Sequence, residues 1–159
     1  MVLFVLSLGS LFLVSLLLGV HLFGQVSLNP ALRAQSAGTY IPVKHALDIS
    51  APRLAKPLMQ VGLLAVSATV VAAAISGQAL ATIASVVSLA ALIATLVAIL
   101  RGDLPINRRM SAWTVADVPS DWEKVRAQWE RYFAFRVGTN AAALAGTVVT
   151  AVASVYLRS

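Results

Sequence analysis

The chain has 159 residues, 59% of them hydrophobic and only 11% charged, with a net charge of +6 and no cysteine. That composition, with a mean hydropathy of +0.86, describes an integral membrane protein rather than a soluble domain. The length gives room for one compact bundle, and the lack of cysteine excludes disulfides and thiolate metal sites.

Met1–Phe23 carries no charge, and the first charged side chain is Arg33. A basic n-region and a short apolar core, the marks of a secretory signal, are missing, so the stretch reads as a retained transmembrane helix with His21 near its end. Gly24–Ser50 reads as a polar connection. Asn29-Pro30 marks the end of the first helix, Gly38 a turn, and Ile41–Leu47 a short surface helix with Pro42 in its first turn. Ser50 is expected to cap the second long helix, with Pro52 near its start and Pro57 bending its opening turns.

Leu58–Ile75 is the second span, Ser76-Gly77-Gln78 a tight turn, and Ala79–Leu100 the third span. Both helices are crowded with small residues that let backbones approach closely. Ser67, Thr69, Thr82, Ser85 and Ser88 therefore read as packing hydroxyls. The spans contain no Asp, Glu or Lys, which argues against a proton relay or ion pump. Arg101–Pro119 is a second polar connection, with Gly102 and Pro105 ending the third helix and Trp113 at interface depth.

The remainder, Pro119–Leu157, opens with a capping-box pattern in Ser120 and Glu123, with Asp121 and Glu123 at the positive end of the helix dipole. No proline interrupts it. One helix over Asp121–Leu157 would be about 55 Å long, against a bilayer core of about 30 Å. The uncharged Val137–Leu157 then spans, and Asp121–Arg136 stands outside. The expected fold is an all-α membrane protein of one domain. It is a four-transmembrane-helix bundle with spans near 2–24, 57–76, 79–100 and 136–157, polar loops at 25–51 and 101–120, and a long fourth helix projecting into the cytoplasm.

Trp122, Arg126, Trp129, Phe133, Arg136 and Asn140 fall at spacings of four and three, on one side of that helix. Two readings stand: an aromatic belt with snorkelling arginines, or a stripe that helps form a polar pocket. Of the twelve basic residues all but Arg158 fall on the side of the two long connections. The positive-inside rule places those loops in the cytoplasm and both termini outside a plasma membrane of bacterial type. The charge is a topology signal and an attraction to anionic membrane lipid, not a sign of nucleic acid. His21 and Asn29 leave the first span at that end, Asn107 and Arg108 leave the third, and Arg126, Trp129 and Arg136 enter the fourth. Their convergence at the cytoplasmic mouth marks a candidate site.

The chain has no GxGxxG, phosphate loop, HExxH, GxSxG or Glu-x-x-His pair. No cofactor is expected. The alternative is haem or copper held by His21 and His45, each of which also reads as a hydrogen-bonded structural residue.

Leu104-Pro105-Ile106-Asn107-Arg108-Arg109, followed by Asp121-Trp122, Arg126, Trp129 and Arg136, resembles a domain-of-unknown-function family of small four-span membrane proteins. That family includes the anthrone oxygenases of polyketide pathways. The resemblance covers length, layout, a Pro-Ile-Asn motif after the third span and an Arg–Trp motif entering the fourth. Many members have a histidine three residues before the last arginine, where this chain has Phe133.

The resemblance implies a cofactor-independent oxygenase acting on an aromatic or phenolic small molecule at the cytoplasmic mouth. Such chemistry needs a base to form a carbanion and donors to hold an oxyanion. His21 or His45 is the candidate base, and Arg126 and Arg136 are the anion holders. Asn29 and Asn107 are substrate-binding polar groups, with Trp122 and Trp129 as stacking walls. The alternative is a non-catalytic membrane subunit or binding protein. Its Trp–Arg face would dock a partner helix, a second copy of the chain or lipid headgroups.

Overall fold

The computed structural model describes residues 1–156. Four helices are long and apolar enough to cross a membrane: α1 (Val2–Arg33), α3 (Pro52–Ile75), α4 (Ala79–Met110) and α5 (Trp122–Tyr156). A shorter helix, α2 (Ala37–Ser50), joins the first two. The long helices form a ring in the order α1, α3, α4, α5, each packed on two neighbours. Gly77, with φ of +70°, makes the tight turn from α3 to α4 at one end. At the other end, the mouth, α2 and the 111–121 connection close over a core of Leu32, Tyr40, Ile106, Met110, Trp113 and Val125.

The helices pack closely through small and hydroxyl side chains. Ser10 and Thr69 are 2.8 Å apart across α1 and α3. Ser88 Oγ, on α4, donates to the Ala143 carbonyl of α5 at 2.9 Å. Thr82 instead donates to the carbonyl of Gln78, just before α4, and Ser85 to that of Thr82. Large apolar side chains such as Phe12, Leu64, Val71 and Ile83 point outward, as a lipid-facing surface requires.

Three expectations about helix ends are corrected. Asn29-Pro30 does not end α1, nor do Gly102 and Pro105 end α4; each helix runs on past its proline. Both pass first through a wider π turn, Gly24–Leu28 in α1 and Ile99–Asp103 in α4. Asn29 N–H bonds back to the Gly24 carbonyl, and Leu104 N–H to that of Ile99. The proline follows directly, so its missing N–H falls where the hydrogen-bond register is already changing. The supposed first loop is thus mostly helix, and α2 extends both ways beyond Ile41–Leu47 with Tyr40, Ile41 and Lys44 buried.

The caps also differ. Ser50 Oγ bonds back to the Ala46 carbonyl, and Ala51 precedes α3. Ser120 forms no capping box among the described residues; Trp122 N–H bonds to the Pro119 carbonyl and Asp121 pairs with Arg109. The long last helix is continuous, as its sequence predicts, although Leu157 lies outside the described residues. Its outer part does not stand alone. The ends of α1 and α4 and the helix α2 pack around it.

Two glycines set that packing. A Cβ on Gly24 would collide with the ring of Phe133, and a Cβ on Gly102 with the ring of Tyr132. Each π turn therefore offers a notch, and two adjacent aromatic residues of α5 fill one notch apiece.

Candidate functional site

The stripe on α5 faces inward. Arg126 is 9% exposed and Asn140 fully buried, while Trp122, Trp129, Phe133 and Arg136 are partly covered. The stripe therefore packs against the rest of the chain. What it meets is a buried polar layer at the mouth, built by α1, α2 and α4.

At the centre, Arg136 Nε lies 2.9 Å from Asp103 Oδ2, with both side chains largely buried. The pair is in electrostatic contact but not aligned as a hydrogen bond, so both Asp103 oxygens keep their acceptor capacity. The Arg136 guanidinium also lies over the Phe133 ring at 4.4 Å. In the sequence Asp103 falls in the second polar connection. The π turn carries it into the helix and turns it inward, so the bundle does hold a buried acid.

Beside this pair, Lys44 of α2 is 2% exposed. Its Nζ donates to Asp48 at 2.5 and 2.6 Å and to Asn107 Oδ1 at 2.9 Å, and it lies 4.7 Å from the centroid of the Trp129 ring. Burial lowers the Lys44 pKa below the usual lysine value, and the Asp48 carboxylate pulls it partly back. Arg126 sits between the Trp122 and Tyr40 rings, at 4.6 and 5.5 Å; among the described residues it has no carboxylate partner, and its one hydrogen bond is a long one to the Arg33 carbonyl. Burial raises the Tyr40 hydroxyl above the ordinary tyrosine range, opposed by the nearby Arg126 charge.

His21 closes the layer from below. Its Nδ1 is 2.9 Å from Asn140 Nδ2 and 3.0 Å from the Leu17 carbonyl, which fixes the ring and leaves Nε2 without a hydrogen bond. The ring stands edge-on to Phe133 at 5.8 Å. Asn29 is buried, with its amide nitrogen 3.4 Å from Gln25 Oε1 and its oxygen unbonded.

The structure thus brings together His21, Arg136, Phe133 and Trp129 through direct contacts, with Asn107 joined through Lys44. Arg126 and Trp122 form an adjoining cluster with Tyr40. His45 stands apart: its Nε2 is 3.0 Å from the Met110 carbonyl, and among the described residues no contact joins it to His21. Among the described residues no group of three or more His, Cys, Asp or Glu side chains is placed to hold a metal ion. The residues missed from sequence are Tyr40, Lys44, Asp48 and Asp103.

No protein-family model matches the chain, and no curated protein or solved structure is detectably similar to it.

Proposed function

We propose that the polar layer at the mouth is a small-molecule site, and that the chain is a cofactor-independent oxygenase acting on a phenolic aromatic compound. One observation carries the small-molecule reading. Asn29 Oδ1, Tyr40 Oη, Asp103 Oδ1 and Trp129 Nε1 are buried at the mouth without hydrogen bonds among the described residues. Each such orphan costs about 1–3 kcal/mol, so a ligand offering hydroxyl and carbonyl groups would gain by meeting them. The stripe is covered by the chain's own helices, which favours a pocket over the docking of a partner helix.

The oxygenase chemistry comes from the resemblance to the anthrone-oxygenase family. His21 reaches from α1 to Phe133, the position where many of those proteins have a histidine, and in the tautomer whose Nδ1–H donates to the Leu17 carbonyl its Nε2 lone pair makes it the candidate base. The base would take a proton from an activated CH2 next to the ring system. The carbanion passes its electrons to O2, a C–O bond forms, and the peroxide takes up a proton. Loss of water leaves a carbonyl, so one oxygen atom stays in the product and the other leaves as water. Arg136, with Lys44 beside it, would hold the oxyanion, and Trp129 would stack on the rings.

Oxygen uptake by the purified protein with anthrone tests this reading. The expected result is one O2 consumed per molecule of product, with uptake reduced on the order of 100-fold in His21→Ala. Saturable quenching of tryptophan fluorescence without oxygen uptake would leave a binding protein. Neither quenching nor uptake would reject the reading.

A further inference from the structure

A groove lies outside the bundle, on the surface shared by α4 and α5, and has no part in the polar layer. We propose that this groove, of about 830 Å³, holds one anionic phospholipid of the surrounding bilayer. Its lining changes character along its length. Ala94 and Val97 of α4 and Phe135 of α5 make an apolar floor, and Arg101, Lys124 and Arg131 make a cationic outer end. Gly102 lies against Tyr132, and Thr95 hydrogen-bonds Thr139 at 2.6 Å, which fixes the register of the two antiparallel helices. Arg101 and Arg131 therefore share one level. Val97 and Phe135 lie about one helical turn, roughly 5 Å, deeper, and Lys124 lies two turns further out.

The three cations are unpaired among the described residues. Arg33 and Arg109, also at the mouth, have carboxylate partners in Glu130 and Asp121. Arg101 and Lys124 make no hydrogen bond, and Arg131 makes only a 3.4 Å contact to the carbonyl of Ala127 on its own helix. A phosphodiester between Arg101 and Arg131 would supply the missing anion with oxygens that match the guanidinium fork. An acyl chain attached to it would run down the apolar floor into the membrane. A soluble phosphate would leave that floor uncovered, and a zwitterionic lipid would bring a choline against Lys124.

The test is native mass spectrometry of the detergent-purified protein with added phosphatidylglycerol or phosphatidylcholine. The wild type is expected to retain one phosphatidylglycerol in preference to phosphatidylcholine. Arg101→Gln/Arg131→Gln should weaken that retention about thirtyfold, on the order of fivefold per cation. Val97→Trp, which fills the floor without changing charge, should weaken it as well. Arg53→Gln/Lys56→Gln removes two exposed cations of α3 and should leave retention unchanged. Equal loss in that control pair would mean diffuse attraction and overturn the proposal. Full retention in Arg101→Gln/Arg131→Gln or in Val97→Trp, or displacement of the lipid by millimolar inorganic phosphate, would overturn it too. Should the double variant fail to fold, Arg101→Gln alone and Val97→Trp decide the matter in the same way.

Discussion

Arg136 and Asp103 are each the other's counter-charge in a place with little water, and removing one leaves the other exposed to the full cost of burial. Arg136→Ala is expected to destabilise the protein by about 3–5 kcal/mol. Arg136→Lys keeps the charge but loses the planar fork, so it should fall between alanine and wild type. Adding Asp103→Asn to Arg136→Ala should recover part of the loss. Thermal unfolding in detergent reads these three and Asp103→Asn alone, and strict additivity of the two single effects, Arg136→Ala and Asp103→Asn, in the double variant would show that the pair is not coupled.

Lys44 gives a pH test of a different kind. Its pKa is lowered by burial, so the folded chain releases this proton at lower pH than the unfolded chain does. Between those two values the unfolded state binds more protons, and stability from this group rises with pH. The cost of the charged, buried lysine is fully present below the folded pKa and is relieved as pH climbs towards 10.5. The melting temperature of wild type minus that of Lys44→Met should therefore increase across the alkaline range. A difference that stays flat or shrinks would show that the lysine is not desolvated. Lys44 and Asp103 were not legible as site residues, because each lies in a stretch that composition marks as a polar connection. The stripe from Trp122 to Asn140 was legible, since its spacing alone puts it on one helical face.

The elements were read correctly where the apolar run was unbroken and wrongly where proline intervened. Pro30 and Pro105 read as stops in the sequence because each lacks a donor for the α-helical ladder. A signal against that reading was present: Gly24, Leu28 and Leu32 keep four-residue spacing past the first proline, as Ile106 and Met110 do past the second. The π turns themselves have no spacing signature, and they are what turns Asp103 inward. Their glycines give the sharpest prediction at this scale. Gly24→Ala and Gly102→Ala should each destabilise by about 1–3 kcal/mol, since an added methyl would collide with an aromatic ring. In each case, trimming the opposing ring, with Phe133→Leu or Tyr132→Leu, should offset part of the loss. The readout is again the unfolding midpoint. No rescue in either pair would mean that the notches are not filled as described.

Across the whole molecule, four spans were evident from hydropathy, and the ring of four long helices agrees with them. The sidedness is a prediction from charge. Apart from Arg158, which lies outside the described residues, every basic residue falls at or near the mouth, so the mouth should face the cytoplasm. A single cysteine at Ser36 should be labelled only after the membrane is made permeable. Labelling of intact cells by an impermeant reagent would reverse the orientation.

The paired notches bear on how a molecule could enter the polar layer. Tyr132 and Phe133 are consecutive, so their side chains leave α5 about 100° apart, one seated in α4 and the other in α1. Turning α5 about its own axis would drive one ring against the wall of its seat while lifting the other out. The last helix is thus keyed at two azimuths and behaves as a fixed post. Access must come from parts with no such key; α2 closes the mouth through Lys44 to Asn107 and His45 to the Met110 carbonyl, contacts that would have to part before it could move.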